Sequence, residues 1–131
     1  MAYLCKVPTS ETIGTDYVDD GQGNNKGECV SLVKRMALPP GMPPTSAWKA
    51  GEKVKDNKTI LEGTAIASFD PKTGRLWHAA IYVKQDVVGI WVWDQYCRGA
   101  TAHPPQLNQL KWENKSHPHV AGDNFYIIEH K

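Results

Sequence analysis

At 131 residues the chain has the length of one ordinary domain, and with 40% hydrophobic and 22% charged residues its composition excludes an intrinsically disordered sequence. Lys and Arg number 15 against 14 Asp and Glu, a balance that argues against a nucleic-acid binder, whose footprint is a basic excess. No stretch approaches the roughly 18 uninterrupted apolar residues of a membrane helix, and Met1 to Thr15 lacks the apolar core of a secretory leader, so the expectation is synthesis in the cytoplasm without a signal peptide.

In chain order, the first strong element follows a glycine-rich stretch, Gly21 to Gly27. Cys29, Val33 and Met36 fall on one helical stripe, with Val30 and Leu32 beside it. Glu28 suits the positive start of a helix, and Lys34 and Arg35 suit its negative end. Leu38-Pro39-Pro40 stops it. The spacing thus predicts a helix over Glu28–Ala37 with Cys29 in its first turn. Leu38 to Pro44 holds four prolines in seven residues, which makes it a stiff connector inside a single domain, 1–131. A second short helix is predicted at Ser46–Ala50, capped by Thr45 or Ser46 and closed by Gly51.

The second half reads as strands. Gly63–Phe69 is a short apolar run, and Asp70–Gly74 has turn chemistry. Leu76–Val83 and Val87–Tyr96 are rich in β-branched and aromatic residues and predict a hairpin that turns around Asp86. Asn124–Glu129 predicts a last strand. Helices first and an antiparallel meander after is the α+β class.

A thiol becomes a strong nucleophile when its thiolate is stabilised, and a helix start or a nearby imidazolium does this. Cys29 is at such a helix mouth. His78, at the start of a strand, is the candidate base from a second element. His78 and Asp94 are each eight residues from Asp86, so the hairpin sets them opposite one another on one face. Asp94 would then hold the imidazole in one tautomer. Gln95 points the other way, and a slip of one residue would exchange it with Asp94.

The remaining candidates are weaker. Cys5 and Cys97 allow two partitions: a bridge between them with Cys29 free, or three reduced thiols. His103-Pro104-Pro105 and His117-Pro118-His119 are held extended by proline without a carboxylate or cysteine pattern. They read as loop histidines, and no metal site is expected. Five Trp and five Tyr serve either a core or a groove for a polar polymer.

These residues carry a resemblance. Tyr17, the glycine-rich stretch and Glu28-Cys29-Val30-Ser31-Leu32-Val33 resemble the Tyr…Gly-rich…Asp-Cys-Ser-Gly-Leu-Val entry of the NlpC/P60 and CHAP peptidases. Gly63–Phe69, a turn and His78-Ala79-Ala80-Ile81-Tyr82-Val83 resemble that family's next two strands, and Asp94 falls at its third polar position. Val30 stands where the family has Ser, and the Gly after it is missing, as in a compact, divergent relative. The resemblance implies a papain-like fold, N-terminal helices on an antiparallel sheet, and a cysteine amidase or endopeptidase acting on peptidoglycan stem or cross-link peptides. Cys29 would attack the carbonyl, and His78 would take its proton and pass it to the leaving amine. Asp94 would orient His78. Tyr17, Glu28, Gln95 and Trp48 would serve the oxyanion or the substrate, with Trp48, Trp77 or Trp93 as groove walls. No cofactor is implied. A short chain of this type is similar to type VI secretion amidase effectors. These act in the periplasm of a rival bacterium, and an immunity protein neutralises them in the producer. Other readings are a phage or autolytic CHAP-type hydrolase, a thiol acyltransferase, or a noncatalytic module that holds glycan or peptide with Cys29 incidental.

Overall fold

The computed structural model describes residues 2–8, 17–19, 27–38, 42–97, 99 and 102–131. Most of the glycine-rich stretch and Pro39 to Gly41 of the proline-rich connector lie outside these residues.

Period-two alternation in the second half of the chain builds a six-stranded antiparallel sheet. Its strands are β3 (Trp48–Lys53), β4 (Ala65–Phe69), β5 (Leu76–Gln85), β6 (Gly89–Tyr96), β7 (His103–Lys111) and β8 (Phe125–His130). Their spatial order is β3-β8-β4-β5-β6-β7. A small pair, β1 (Leu4–Cys5) with β2 (Ala37–Leu38), ties the N-terminus to the segment after the helix. That helix, α1 (Cys29–Met36), packs on β5 and β6.

Cys29, Leu32, Val33 and Met36 recur at helical spacing and are buried against the sheet. They meet Ala65, Ala67, Ala79 and Ile81, where the small alanines let the helix sit close. The next residues along the same strands, Ile66, Ala80 and Tyr82, face the other way. With Ile90, Val92, Leu110 and Phe125 they form a second core on the far side of the sheet. Strand β4 is buried along its whole length because both faces are covered.

Two expectations need correction. The segment Ser46–Ala50 is not a helix: a 3-10 turn at Thr45–Ala47 leads straight into β3. Five residues are too few to nucleate a helix alone. Here they gain a ladder to β8, while the Trp48 indole is buried and donates to the Pro43 carbonyl at 2.9 Å. Among the described residues α1 is the one α-helix, and it packs on a mostly antiparallel sheet.

The second correction concerns His103-Pro104-Pro105, which opens β7 instead of a loop. β7 is the edge strand, where proline's missing N–H costs no ladder bond on the open side. Of the two partitions open to the cysteines, the structure has the one with three free thiols. Cys5 pairs with Ala37 beyond the C-terminal end of α1, whereas Cys97 packs against Gly27 before its start. A helix of this length separates them by roughly 12 Å, beyond the reach of a disulfide. Burial pushes the Cys5 thiol up to about 12, and its sulfur donates to the Val33 carbonyl at 3.5 Å.

Candidate active site

The start of α1 is fixed from two sides. Gly27, just before it, has φ +87°, a conformation that glycine adopts freely. A Cβ at Gly27 would lie 2.6 Å from Cys97 Cβ and 3.2 Å from the Tyr17 ring, so the loop can close only on glycine. From the sheet, Gln95 is fully buried and all of its amide is engaged. Its Oε1 accepts from Val18 N at 2.8 Å, and its Nε2 donates to Val18 O at 2.9 Å and to Glu28 O at 2.8 Å. Gln95 thus clamps the Tyr17–Asp19 segment and the helix mouth onto β6.

Glu28 is the N-cap, with extended backbone and no capping bond from its side chain. Its carbonyl also accepts from Ser31 N at 3.0 Å. Cys29 follows as the first helical residue, and is buried. The first amides of a helix have no intrahelical acceptor and carry its positive end.

His78 comes from β5 and is 4% exposed. It pairs with Ser68, next to a register shift in the β4–β5 ladder between Ser68 and Phe69. Such an irregularity adds local twist, and at this end of the strand the imidazole reaches Cys29, with which it shares a side-chain hydrogen bond. Its Nε2 lies 2.8 Å from Asp94 Oδ2, leaving Nδ1 for the thiol. The rings of Tyr96 and Phe125 stand edge-on at 6.3 and 6.4 Å. Burial by itself would push the His78 imidazolium down. The hydrogen bond to Asp94, then the hydrogen bond and charge of Cys29, outweigh it and hold His78 at about 10.

The structure therefore brings Cys29, His78 and Asp94 together, but by another register than the count from Asp86 predicts. Ile81 faces Trp93, and the ladder shifts between Tyr82 and Lys84. His78 is thus diagonal to Asp94 and not directly opposite it. Diagonal neighbours share a face and lie within reach of a long side chain.

Two predicted roles do not survive. Gln95 has no free N–H for an oxyanion, since both donate to backbone carbonyls. Trp48 is 2% exposed in the helix-side core, so its side chain offers almost no surface to a substrate. Trp93 is partly buried against the same core. Tyr17 is half-buried beside Gly27, next to the helix mouth.

A groove of about 720 Å³ opens beside the pair, with Trp77, His78, Asp94, Tyr96, His103 and His119 among its walls. His119 is carried over β4 by a bond from Ser68 Oγ to its carbonyl at 2.7 Å. Partial burial, then the nearby charges of His78 and His117, hold His119 below its ordinary value. His103 and His119 are wall residues that sequence reading set aside as loop histidines. Their prolines were the available signal, because they mark fixed backbone. Among the described residues no group of three or more His, Cys, Asp or Glu side chains is arranged to hold a metal ion.

Comparison with known proteins agrees with this architecture. A family profile described as "Domesticated amidase effector 2" matches residues 1–128. A protein of that name from Ixodes scapularis is 39% identical over 109 residues, covering 82% of this chain and 74% of its own. The "Type VI secretion amidase effector 2 protein" of Salmonella typhi is 35% identical over 82 residues, 60% of this chain and 59% of its own. A solved structure described as "Type 6 secretion amidase effector 2" superposes with a TM-score of 0.70 at 23% identity, over 96% of this chain and 95% of that one, and so shares the fold. With its profile match running nearly end to end, the chain belongs to the domesticated amidase effector 2 family.

Proposed function

We propose that residues 1–131 form one catalytic domain of the papain-like NlpC/P60 type, a cysteine amidase that cleaves amide bonds in peptidoglycan peptides. The observation that carries this reading is the His78 ring, which faces Cys29 at a helix mouth and a buried Asp94 carboxylate at 2.8 Å. The names of the relatives, amidase effectors in a tick and in a bacterium, support the class of bond. The bacterial relative is named for type VI secretion, and the reading extends from there to a peptidoglycan substrate, action in the periplasm of a target bacterium, and a cognate immunity protein as partner.

The chemistry follows from where the proton sits. The Asp94 hydrogen bond favours a protonated His78 ring, so the imidazole can hold the proton it takes from Cys29. Sγ attacks the scissile carbonyl carbon, and the oxygen that becomes negative turns to the first amides of α1, with the Tyr17 hydroxyl as a further donor. The C–N bond breaks, His78 gives its proton to the leaving amine, and a thioester remains on Cys29. Water then attacks the thioester, returns a proton to His78, and the acid leaves with Sγ restored. Asp94 on Nε2 keeps Nδ1 aimed at the sulfur throughout, which is the orienting role of a triad acid.

The test is digestion of purified sacculi followed by mass spectrometry of the fragments. Wild-type protein should release peptides with new amine and carboxylate termini, and Cys29→Ala should release none while melting as a folded protein. Fragments cut only in the glycan strand would sink the amidase reading.

A further inference from the structure

Asp94 has more around it than a triad acid needs. It is 1% exposed, and a buried carboxylate demands several donors. His78 serves Oδ2 at 2.8 Å. From β7, Asn108 Nδ2 reaches both oxygens at 3.4 Å, and His103 Nε2 stands 3.6 Å from Oδ1. The other ring nitrogen of His103, Nδ1, lies 2.8 Å from the Pro104 carbonyl. The Nδ1 contact is of hydrogen-bond length and Nε2 stands at ion-pair distance, so the ring is held beside the Asp94 carboxylate.

The backbone explains how His103 arrives there. Asp94 pairs with Gln106 while Tyr96 pairs with His103, so β7 carries one residue more than β6 across this stretch. Pro104 and Pro105 lie in that interval. They lack N–H groups and have fixed φ, and the residue before a proline is held extended. The His103-Pro104-Pro105 motif is thus a rigid mount for one imidazole.

We propose that His103, aided by Asn108, is a positioning residue that locks the plane of the Asp94 carboxylate so that Oδ2 stays on His78 Nε2. The inference rests on the catalytic reading above. The terminal torsion of an aspartate is soft, and Asn108 against both oxygens with the His103 ring beside Oδ1 opposes rotation of the carboxylate away from His78. Among the described residues, the titratable groups around Asp94 and His78 are Cys29 from α1, Tyr96 from β6, His103 from β7, and His119 from the turn at Pro118–Val120.

The experiment compares wild type, His103→Ala, His103→Gln, Asn108→Ala and Cys29→Ala on soluble peptidoglycan fragments across pH. His103→Ala should lower kcat by about ten- to a hundredfold, the cost of a misplaced catalytic group, with KM within about twofold. Its alkaline limb should move to lower pH, because a loosened Asp94 holds the His78 proton less firmly. His103→Gln, which can still donate to Oδ1, should recover most of the rate. Unchanged kcat and pH limb in His103→Ala would overturn the proposal, as would a change in KM alone or a His103→Gln variant as poor as His103→Ala. If His103→Ala does not fold, Asn108→Ala must move the limb the same way, and an unmoved limb overturns the proposal. Cys29→Ala separates the two levels: activity in that variant defeats the catalytic reading itself, whereas a dead Cys29→Ala beside a normal His103→Ala defeats only the positioning role.

Discussion

A single histidine holds the site together, and its neighbours differ in kind. The approach of Cys29, His78 and Asp94 to one another was legible because their residue types carry chemistry and their elements were readable. Gln95 and Trp48 were not read correctly, because type alone does not tell whether a polar or aromatic side chain is used up by the backbone. Gln95→Ala leaves Val18 N, Val18 O and Glu28 O without their buried partner. It should cost on the order of 3 kcal/mol, since each unmade buried bond costs about 1–3. Equilibrium denaturation measures it, and a loss under about 0.5 kcal/mol would contradict the clamp. Trp48→Ala removes a fully packed side chain and should cost about 3–5 kcal/mol while leaving KM unchanged in whatever protein still folds.

Elements place these residues, and here the sequence was informative where patterns were long. The amphipathic stripe of α1 and the β5–β6 hairpin were visible as periodicity. The turn is held as expected at Asp86, whose carboxylate accepts from Val88 N, Gly89 N and Trp91 Nε1. Those bonds hold Asp86 below its ordinary value. The register slip between Tyr82 and Lys84 was invisible, because no residue type announces it. The edge strand β7 was hidden by its own prolines, which only a known edge position makes acceptable. At the helix mouth, Gly27→Ala meets both a left-handed φ and the Cys97 contact. It should destabilise by about 2 kcal/mol or more and lower kcat, because the start of α1 must move. A Gly27→Ala variant with wild-type melting and turnover would show that the loop does not constrain Cys29.

For the whole molecule, the buried His78 links folding to pH. Its folded value, about 10, lies above the unfolded 6.5. A group raised on folding contributes stability that is fully present below about 6.5 and is lost as pH rises through about 10. The denaturant midpoint should therefore fall across that window, and His78→Ala should flatten the fall. A midpoint that rises with pH there would reverse the sign of the coupling. The two-sided core explains why the pair can be so buried: cores on both faces of the sheet close around its end, and a groove opens to it at Trp77, Tyr96 and His119.

The thiols themselves give the most direct test, since burial holds the Cys5 thiol well above its ordinary value. Wild-type protein is treated with iodoacetamide near pH 7, and peptide mapping follows each cysteine while amide hydrolysis is assayed in parallel. The account predicts that lost activity tracks the labelled fraction of Cys29 one for one, with Cys5 untouched until the protein unfolds. Full labelling of Cys29 with turnover preserved would contradict it.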